Sequence, residues 1–187
     1  MDLYYGWYYT SPLQLTIENS ADMANMSLRV TDLTISSDSC NGLISLNLSK
    51  FKLLQSICIG DDCFRSVKTF KIDGLNKLKS IKIANNSFAQ MNIDDRMDWL
   101  RICNPSKSFH ILNCESLEFI QIGEFSFSDF AGNFELKNLP QLQSIQIGTI
   151  GSESNNFYLS SFVIRGIEMI LIIVMIRSSK STIHYIR

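Results

Sequence analysis

Few side chains in this chain are suited to catalysis. The two histidines, His110 and His184, are the imidazoles that could act as general bases. Nucleophilic catalysis needs a base poised beside the nucleophile, and no such arrangement can be read around either histidine. The neighbouring acids Asp61 and Asp62 are typical of a solvated turn, and neither a Walker loop nor a GxGxxG pattern occurs. The sequence therefore predicts a protein that is not an enzyme and uses no cofactor and no metal.

The cysteines could in principle bind a metal or carry redox chemistry. There are five, namely Cys40, Cys58, Cys63, Cys103 and Cys114. The count is odd, no CxxC pair occurs, and histidine and cysteine do not meet at zinc-site spacing. We therefore predict free, mostly structural thiols, as in a reducing compartment. Cys114 falls in a column of apolar residues and is expected to be buried as a small hydrophobe.

The elements that position these side chains follow a repeat of about 24 residues. Four segments align without gaps, 46–64, 70–88, 109–127 and 134–152, and a partial fifth copy starts at Phe162. Counted from zero, offsets 0, 2, 5, 8, 11, 13 and 18 are apolar at 27 of 28 positions. The alternation at offsets 11 and 13 predicts one strand per unit, and offsets 0 and 2 indicate a second short extended segment.

The repeat motif is F-x-I-x-N-C-x-S-L-x-x-I-x-I-G-x-x-S-F, and it is cleanest at 109–127. It resembles the leucine-rich repeat, and more narrowly the BspA-like class of bacterial surface and protist proteins. The resemblance covers roughly residues 28–176. It implies a β-rich, right-handed solenoid with one short parallel strand per unit, little helix, and strands lining a concave face. One departure is the asparagine ladder of ordinary leucine-rich repeats, because at offset 16 only Asn86 fits.

Side chains at offsets 10 and 12 are predicted to point away from the core, because the isoleucines at 11 and 13 point inward. They are Ser56, Cys58, Ser80, Lys82, Phe119, Gln121, Ser144 and Gln146. Phe119 replaces a serine of the other units and is the predicted anchor of a contact surface. The function predicted is a non-catalytic interaction module that binds a protein through the concave strand face. A glycan ligand stays open, as does a fragment or remnant of a longer repeat surface or adhesion protein without its own ligand.

Three regions follow from the repeat pattern. Residues 1–27 form a non-repeat aromatic segment, read as a cap, a frayed tail or a carbohydrate platform. Residues 28–161 form the solenoid, with an insertion at 89–108 in which Ile93, Met97 and Leu100 have the spacing of a short amphipathic helix. The insertion is either a tolerated surface loop or a contact surface. Residues 162–187 form a divergent last repeat and tail.

Charge and hydropathy limit the partners further. The net charge of −1 and pI near 6.1 argue against nucleic acid, which usually requires a basic stripe. The apolar run 169–176 is shorter than the about 20 residues of a spanning helix, so it is predicted to be a buried strand, with a membrane anchor as the alternative. The N-terminus lacks the features of a secretory signal. Cytoplasmic location is the default expectation, and the resemblance implies the cell surface as the alternative.

Overall fold

The protein is β-rich, with one short helix in the part of the chain that the structure describes. A computed structural model describes residues 12–90, 103–148, 154–157, 159–167, 171–174 and 183–186. The elements are β1 (Gln14–Ile17), α1 (Ser20–Ala24), β2 (Asp32–Ile35), β3 (Ser45–Asn47), β4 (Ser56–Ile59), β5 (Thr69–Asp73), β6 (Ser80–Ile83), β7 (Ser108–Leu112), β8 (Phe119–Ile122), β9 (Asn133–Lys137), β10 (Ser144–Ile147), β11 (Ser161–Arg165), β12 (Leu171–Val174) and β13 (Ile183–Ile186). These strands pair in parallel throughout.

The strands form two sheets, and from β2 onward successive strands alternate between them. The first sheet has the order β1-β2-β4-β6-β8-β10-β12, and the second has the order β13-β11-β9-β7-β5-β3. The prediction of a β-rich chain with parallel strands and little helix is confirmed. The prediction of one strand per unit is wrong, because each complete unit carries two. The FxI segment alternates as regularly as the LxxLxL segment does, and both bury their apolar side chains.

Equivalent offsets stay in register from unit to unit. Ile57 pairs with Ile81, and Ile81 pairs with Ile120 although 39 residues separate them. In the second sheet Phe70 pairs with Phe109 across the same insertion. Both sheets therefore continue unbroken across the insertion.

The core between the sheets contains two stacks of phenylalanine. Phe64, Phe88, Phe127 and Phe157 stack at centroid distances of 5.0, 4.5 and 4.9 Å. Phe70, Phe109, Phe134 and Phe162 form the other stack at 4.9, 4.8 and 4.5 Å. Edge-to-face contacts join the two stacks. Each aromatic pair contributes about 0.5–1.5 kcal/mol beyond the burial of its area, so these rings add to the coupling between units.

A buried hydroxyl ladder holds the turns that follow the first-sheet strands. The Ser87 hydroxyl donates to the Gly60 carbonyl at 2.7 Å and accepts the Cys63 N–H at 3.0 Å. The Ser126 hydroxyl repeats this pattern one unit later with the Ala84 carbonyl and the Ser87 N–H. Serine at offset 17 therefore supplies side-chain bonds between units, in the region where offset 16 would place an asparagine ladder.

Removing one rung of this ladder is expected to destabilise the fold. Ser87→Ala removes a fully buried hydroxyl and leaves the buried Cys63 N–H and the half-buried Gly60 carbonyl without this partner, which should cost about 1–3 kcal/mol. Ser87→Cys is the matched control, because Cys63 occupies the equivalent position one unit earlier and its Sγ contacts the Ser36 carbonyl at 3.0 Å. Urea denaturation measures both variants, and an alanine variant as stable as the cysteine variant would contradict the ladder.

Neighbouring units approach closely at two of the glycines that follow first-sheet strands, Gly60 and Gly123. A Cβ added to Gly60 would lie 2.7 Å from the backbone nitrogen of Ser37, and one added to Gly123 would lie 2.6 Å from the Ala84 carbonyl carbon. The sequence indicated a small residue for a sharp turn at these positions. The structure gives a different reason, the contact between turns of adjacent units.

A buried ion pair joins Lys107, at the end of the insertion, to Asp129, which follows the third unit. Lys107 Nζ lies 2.6 Å from the Asp129 carboxylate, and both side chains are 1% exposed. The ammonium also lies 5.2 Å from the centroid of the Phe130 ring. Asn104 and Phe130 form an isolated parallel β-bridge, and the Gly132 N–H donates to the Lys107 carbonyl. The helix predicted around Ile93 lies outside the described residues.

The two ends of the chain contain strands as well. β1 and α1 lie within 1–27, the region predicted to be non-repeat, and β1 extends the first sheet beside β2. The aromatic cluster near the N-terminus lies outside the described residues. At the other end β11 is the first strand of the partial fifth copy, and β12, inside the apolar run 169–176, pairs with β10.

Candidate binding face

The eight side chains predicted for binding lie together on the outward side of the first sheet, called here the strand face. Strand register aligns them in two rows. The first row is Ser56, Ser80, Phe119 and Ser144, and the second row is Cys58, Lys82, Gln121 and Gln146. The intervening isoleucines, such as Ile57 and Ile81, are 1% exposed and pack into the core. The alternation of side chains along a strand therefore places all eight on one side.

Three further strands extend both rows. β2 contributes Asp32 to the first row and Thr34 to the second, and β1 contributes Gln14 and Thr16. At the other edge, β12 aligns Leu171 with Ser144 and Ile173 with Gln146. These six residues were not predicted to belong to the face. Alternation of Leu33 with Ile35 was the available signal for β2, whereas β1 lies before the recognisable repeats.

The charges on the face are few, and the acid among them is already bonded. The Asp32 carboxylate accepts hydrogen bonds from the Ser56 hydroxyl at 2.5 Å and from the Thr31 hydroxyl at 2.8 Å. Lys82 is exposed and forms no ion pair with any described residue. From β1 to β10 the two rows therefore present mainly hydroxyls and amides, with one ammonium that has no ion-pair partner among the described residues.

Among the residues of this face whose exposure is described, Phe119 is the large apolar side chain that is exposed. It is 44% exposed, and its aligned neighbours on both sides are the small residues Ser80 and Ser144. The other large apolar side chains that are exposed in the described part of the chain, Leu13, Leu28 and Ile44, lie outside the strands. Phe119 thus projects from the sheet between two positions that carry small side chains.

The outward side of the second sheet has a different chemistry, because acidic side chains there contact a lysine and a histidine ring. His110 Nδ1 lies 3.2 Å from the Glu135 carboxylate, and Lys71 Nζ lies 3.4 Å from the Asp73 carboxylate. The Asn113 amide donates to Asp73 at 2.8 Å, and this bond is the main cause of the lowered pKa of Asp73. His110 points away from the core, as predicted, since Phe109 and Ile111 beside it are fully buried.

The thiols are free, as predicted. Burial, with smaller contributions from Cys63 and Asp22, raises the pKa of Cys40 to about 11. Burial also raises the pKa of Cys63, Cys103 and Cys114. Cys114 is fully buried, which confirms its predicted place in the core. These four thiols are protonated at neutral pH and are poor nucleophiles, while Cys58 is exposed on the strand face.

Comparisons with family models, with curated proteins and with solved structures found no match for this chain. Within the described ranges, no group of three histidine, cysteine, aspartate or glutamate side chains is arranged to hold a metal ion. None of the helices described is long and apolar enough to cross a membrane. The arrangement of the strand face therefore provides the basis for a functional assignment.

Proposed function

We propose that the chain is a non-catalytic interaction module that binds a protein through the strand face. Its architecture is that of a right-handed leucine-rich-repeat solenoid similar to the BspA-like class, with the strand face on the concave side. The 24-residue unit, the alternation of strands between two parallel sheets and the constant register support this architecture. The contacts of acidic side chains with Lys71 and His110 on the other sheet favour the strand face as the contact surface.

The observation that carries the proposal is the composition of the two rows over adjacent strands. They combine hydrogen-bonding side chains that carry little charge with one projecting aromatic ring. Strands hold these side chains in fixed positions, so binding requires little further ordering of the backbone. Aromatic anchors surrounded by less energetic polar contacts are typical of protein interfaces.

A steric block on the face tests this function. Ser80→Tyr combined with Ser144→Tyr fills both positions beside Phe119, and tyrosine is well tolerated in strands. The matched control, Ser108→Tyr with Ser161→Tyr, makes the same changes on the outward side of the second sheet. Dodecapeptides selected from a random phage library on the wild-type chain are expected to lose at least about tenfold in affinity for the blocked face.

The control variant should bind the selected peptides as the wild-type chain does. Peptides that bind the blocked variant unchanged would overturn the proposed function, as would peptides that lose binding only to the control. Failure to select any peptide that binds the wild-type chain would also count against the proposed function. Circular dichroism of both variants establishes that the sheets are retained.

A further inference from the structure

The surroundings of Phe119 define which partner chemistry fits the strand face. β6 and β8 are neighbours, with Ser80 aligned to Phe119 and Lys82 aligned to Gln121. Lys82 is therefore the diagonal neighbour of Phe119, about 8 Å away from Cα to Cα by the geometry of a parallel sheet. An exposed ring and an exposed ammonium thus lie within the reach of two adjacent side chains of one partner segment.

Lys82 is the cation in this region that has no acid aligned with it. Its partners in the register are Cys58 and Gln121, neither of which is an acidic residue. Lys79 precedes β6 and is aligned with Glu118 of the next unit through the Glu118 N–H bond to the Lys79 carbonyl. Lys79 lies before the strand and outside the two rows, whereas Lys82 lies within the second row.

Among the described residues, the acids on this side of the molecule either accept hydrogen bonds or lie outside the rows, as Glu118 does immediately before β8. Asp32 is three strands away from Phe119 and accepts two hydroxyl hydrogen bonds. Asp61 follows β4, and its carboxylate accepts the Asn85 N–H at 2.8 Å. Glu124 also follows its strand, β8, and so lies past the rows. A basic partner would therefore meet the unpaired Lys82 before it met an available carboxylate on the two rows.

We propose that the partner is a protein segment in which a carboxylate stands next to a large apolar side chain. The apolar side chain packs on the Phe119 ring between Ser80 and Ser144, and the carboxylate pairs with Lys82. This inference rests on the proposed function, since it specifies the ligand of the same face. Charge complementarity and the isolated aromatic anchor select an acidic, apolar-anchored segment over a basic or purely polar one.

Synthetic dodecapeptides test the partner chemistry directly. Three peptides of the same design differ only in their side chains. The first has aspartates around a central phenylalanine, the second has lysines around the same phenylalanine, and the third has aspartates around a central serine. Fluorescence polarisation with the wild-type chain is expected to show binding of the first peptide at least about tenfold tighter than of the other two. The affinity of the first peptide should fall as salt is raised, because screening weakens the pair with Lys82.

Four variants assign the binding to the two side chains. Phe119→Ser is expected to lower the affinity for the first peptide by about tenfold, and Lys82→Gln is expected to lower it severalfold. Ile44→Ser and Lys68→Gln are the controls, since they remove an exposed apolar side chain and an exposed cation away from the strand face. Equal binding of the acidic and basic peptides, or no effect of Lys82→Gln, overturns the partner chemistry. If the preferred peptide still binds the Ser80→Tyr and Ser144→Tyr variant, the proposed function itself fails.

Discussion

Replacing Lys107 with methionine is expected to lower the free energy of unfolding by about 3–5 kcal/mol. The Lys107 ammonium lies 2.6 Å from the Asp129 carboxylate, and both side chains are 1% exposed. The substitution leaves the Asp129 charge buried without its counter-ion, and a buried unpaired charge is strongly unfavourable. Urea denaturation followed by circular dichroism measures the loss.

The loss in free energy of unfolding caused by Lys107→Met should depend on pH. Burial raises the pKa of Asp129, while the hydrogen bond and the charge of Lys107 oppose the rise. Without Lys107 the opposing effects disappear, so the pKa of Asp129 rises further. A carboxyl group with a higher pKa in the folded state binds its proton more tightly when folded. Its contribution to stability is therefore present at acidic pH and is lost as the pH rises through the folded-state pKa.

Lowering the pH from neutral to mildly acidic values should consequently reduce the gap between Lys107→Met and the wild-type chain. The double variant Lys107→Met with Asp129→Leu is the control, because replacing both members of a buried pair with apolar side chains is often neutral or stabilising. It should recover most of the lost stability and show little pH dependence of its own at this site. Equal destabilisation of the single and double variants would contradict the ion-pair explanation.

The buried pair also shows what could not be predicted from the sequence. Lys107 belongs to the insertion and Asp129 follows the end of the third unit, so neither falls in an apolar column. A lone lysine or aspartate is usually solvated, and the two are 22 residues apart. Only the folding of the insertion end against Phe130 brings them together and excludes water. The hydroxyl ladder is different, since serine at offset 17 was visible in the motif and only its bonding partners were not.

The strand face could be predicted in its central part because apolar periodicity determines which side chains point outward. Once Ile120 and Ile122 are placed in the core, Phe119 and Gln121 must lie on the other side. Register then aligns equivalent offsets. The members contributed by β1 and β2 could not be found in the same way, because the full repeat pattern is absent there. The hydrogen bonds of Asp32 likewise depend on the pairing of β2 with β4.

The expected response to Phe109→Ala is a loss of about 3–5 kcal/mol in the free energy of unfolding. Phe109 is fully buried on β7 and stacks on Phe70 and Phe134 at 4.9 and 4.8 Å. It also makes edge-to-face contacts with Phe127 and Phe157 at 5.1 and 5.4 Å. Alanine would open a cavity between three consecutive units and remove two of the edge-to-face contacts that join the stacks. Urea denaturation again gives the magnitude.

The chain offers a matched control for this substitution in Phe119→Ala. Both changes delete a phenylalanine side chain from a strand, β7 for Phe109 and β8 for Phe119. Phe119 is 44% exposed, whereas Phe109 is fully buried. Phe119→Ala should change the free energy of unfolding by no more than about 0.5 kcal/mol, and it should still weaken the acidic, apolar-anchored peptide. A similar stability loss in both variants would mean that the Phe119 ring is part of the core. Stability retained together with weakened peptide binding would separate the side chains that hold the units together from the one that contacts the partner.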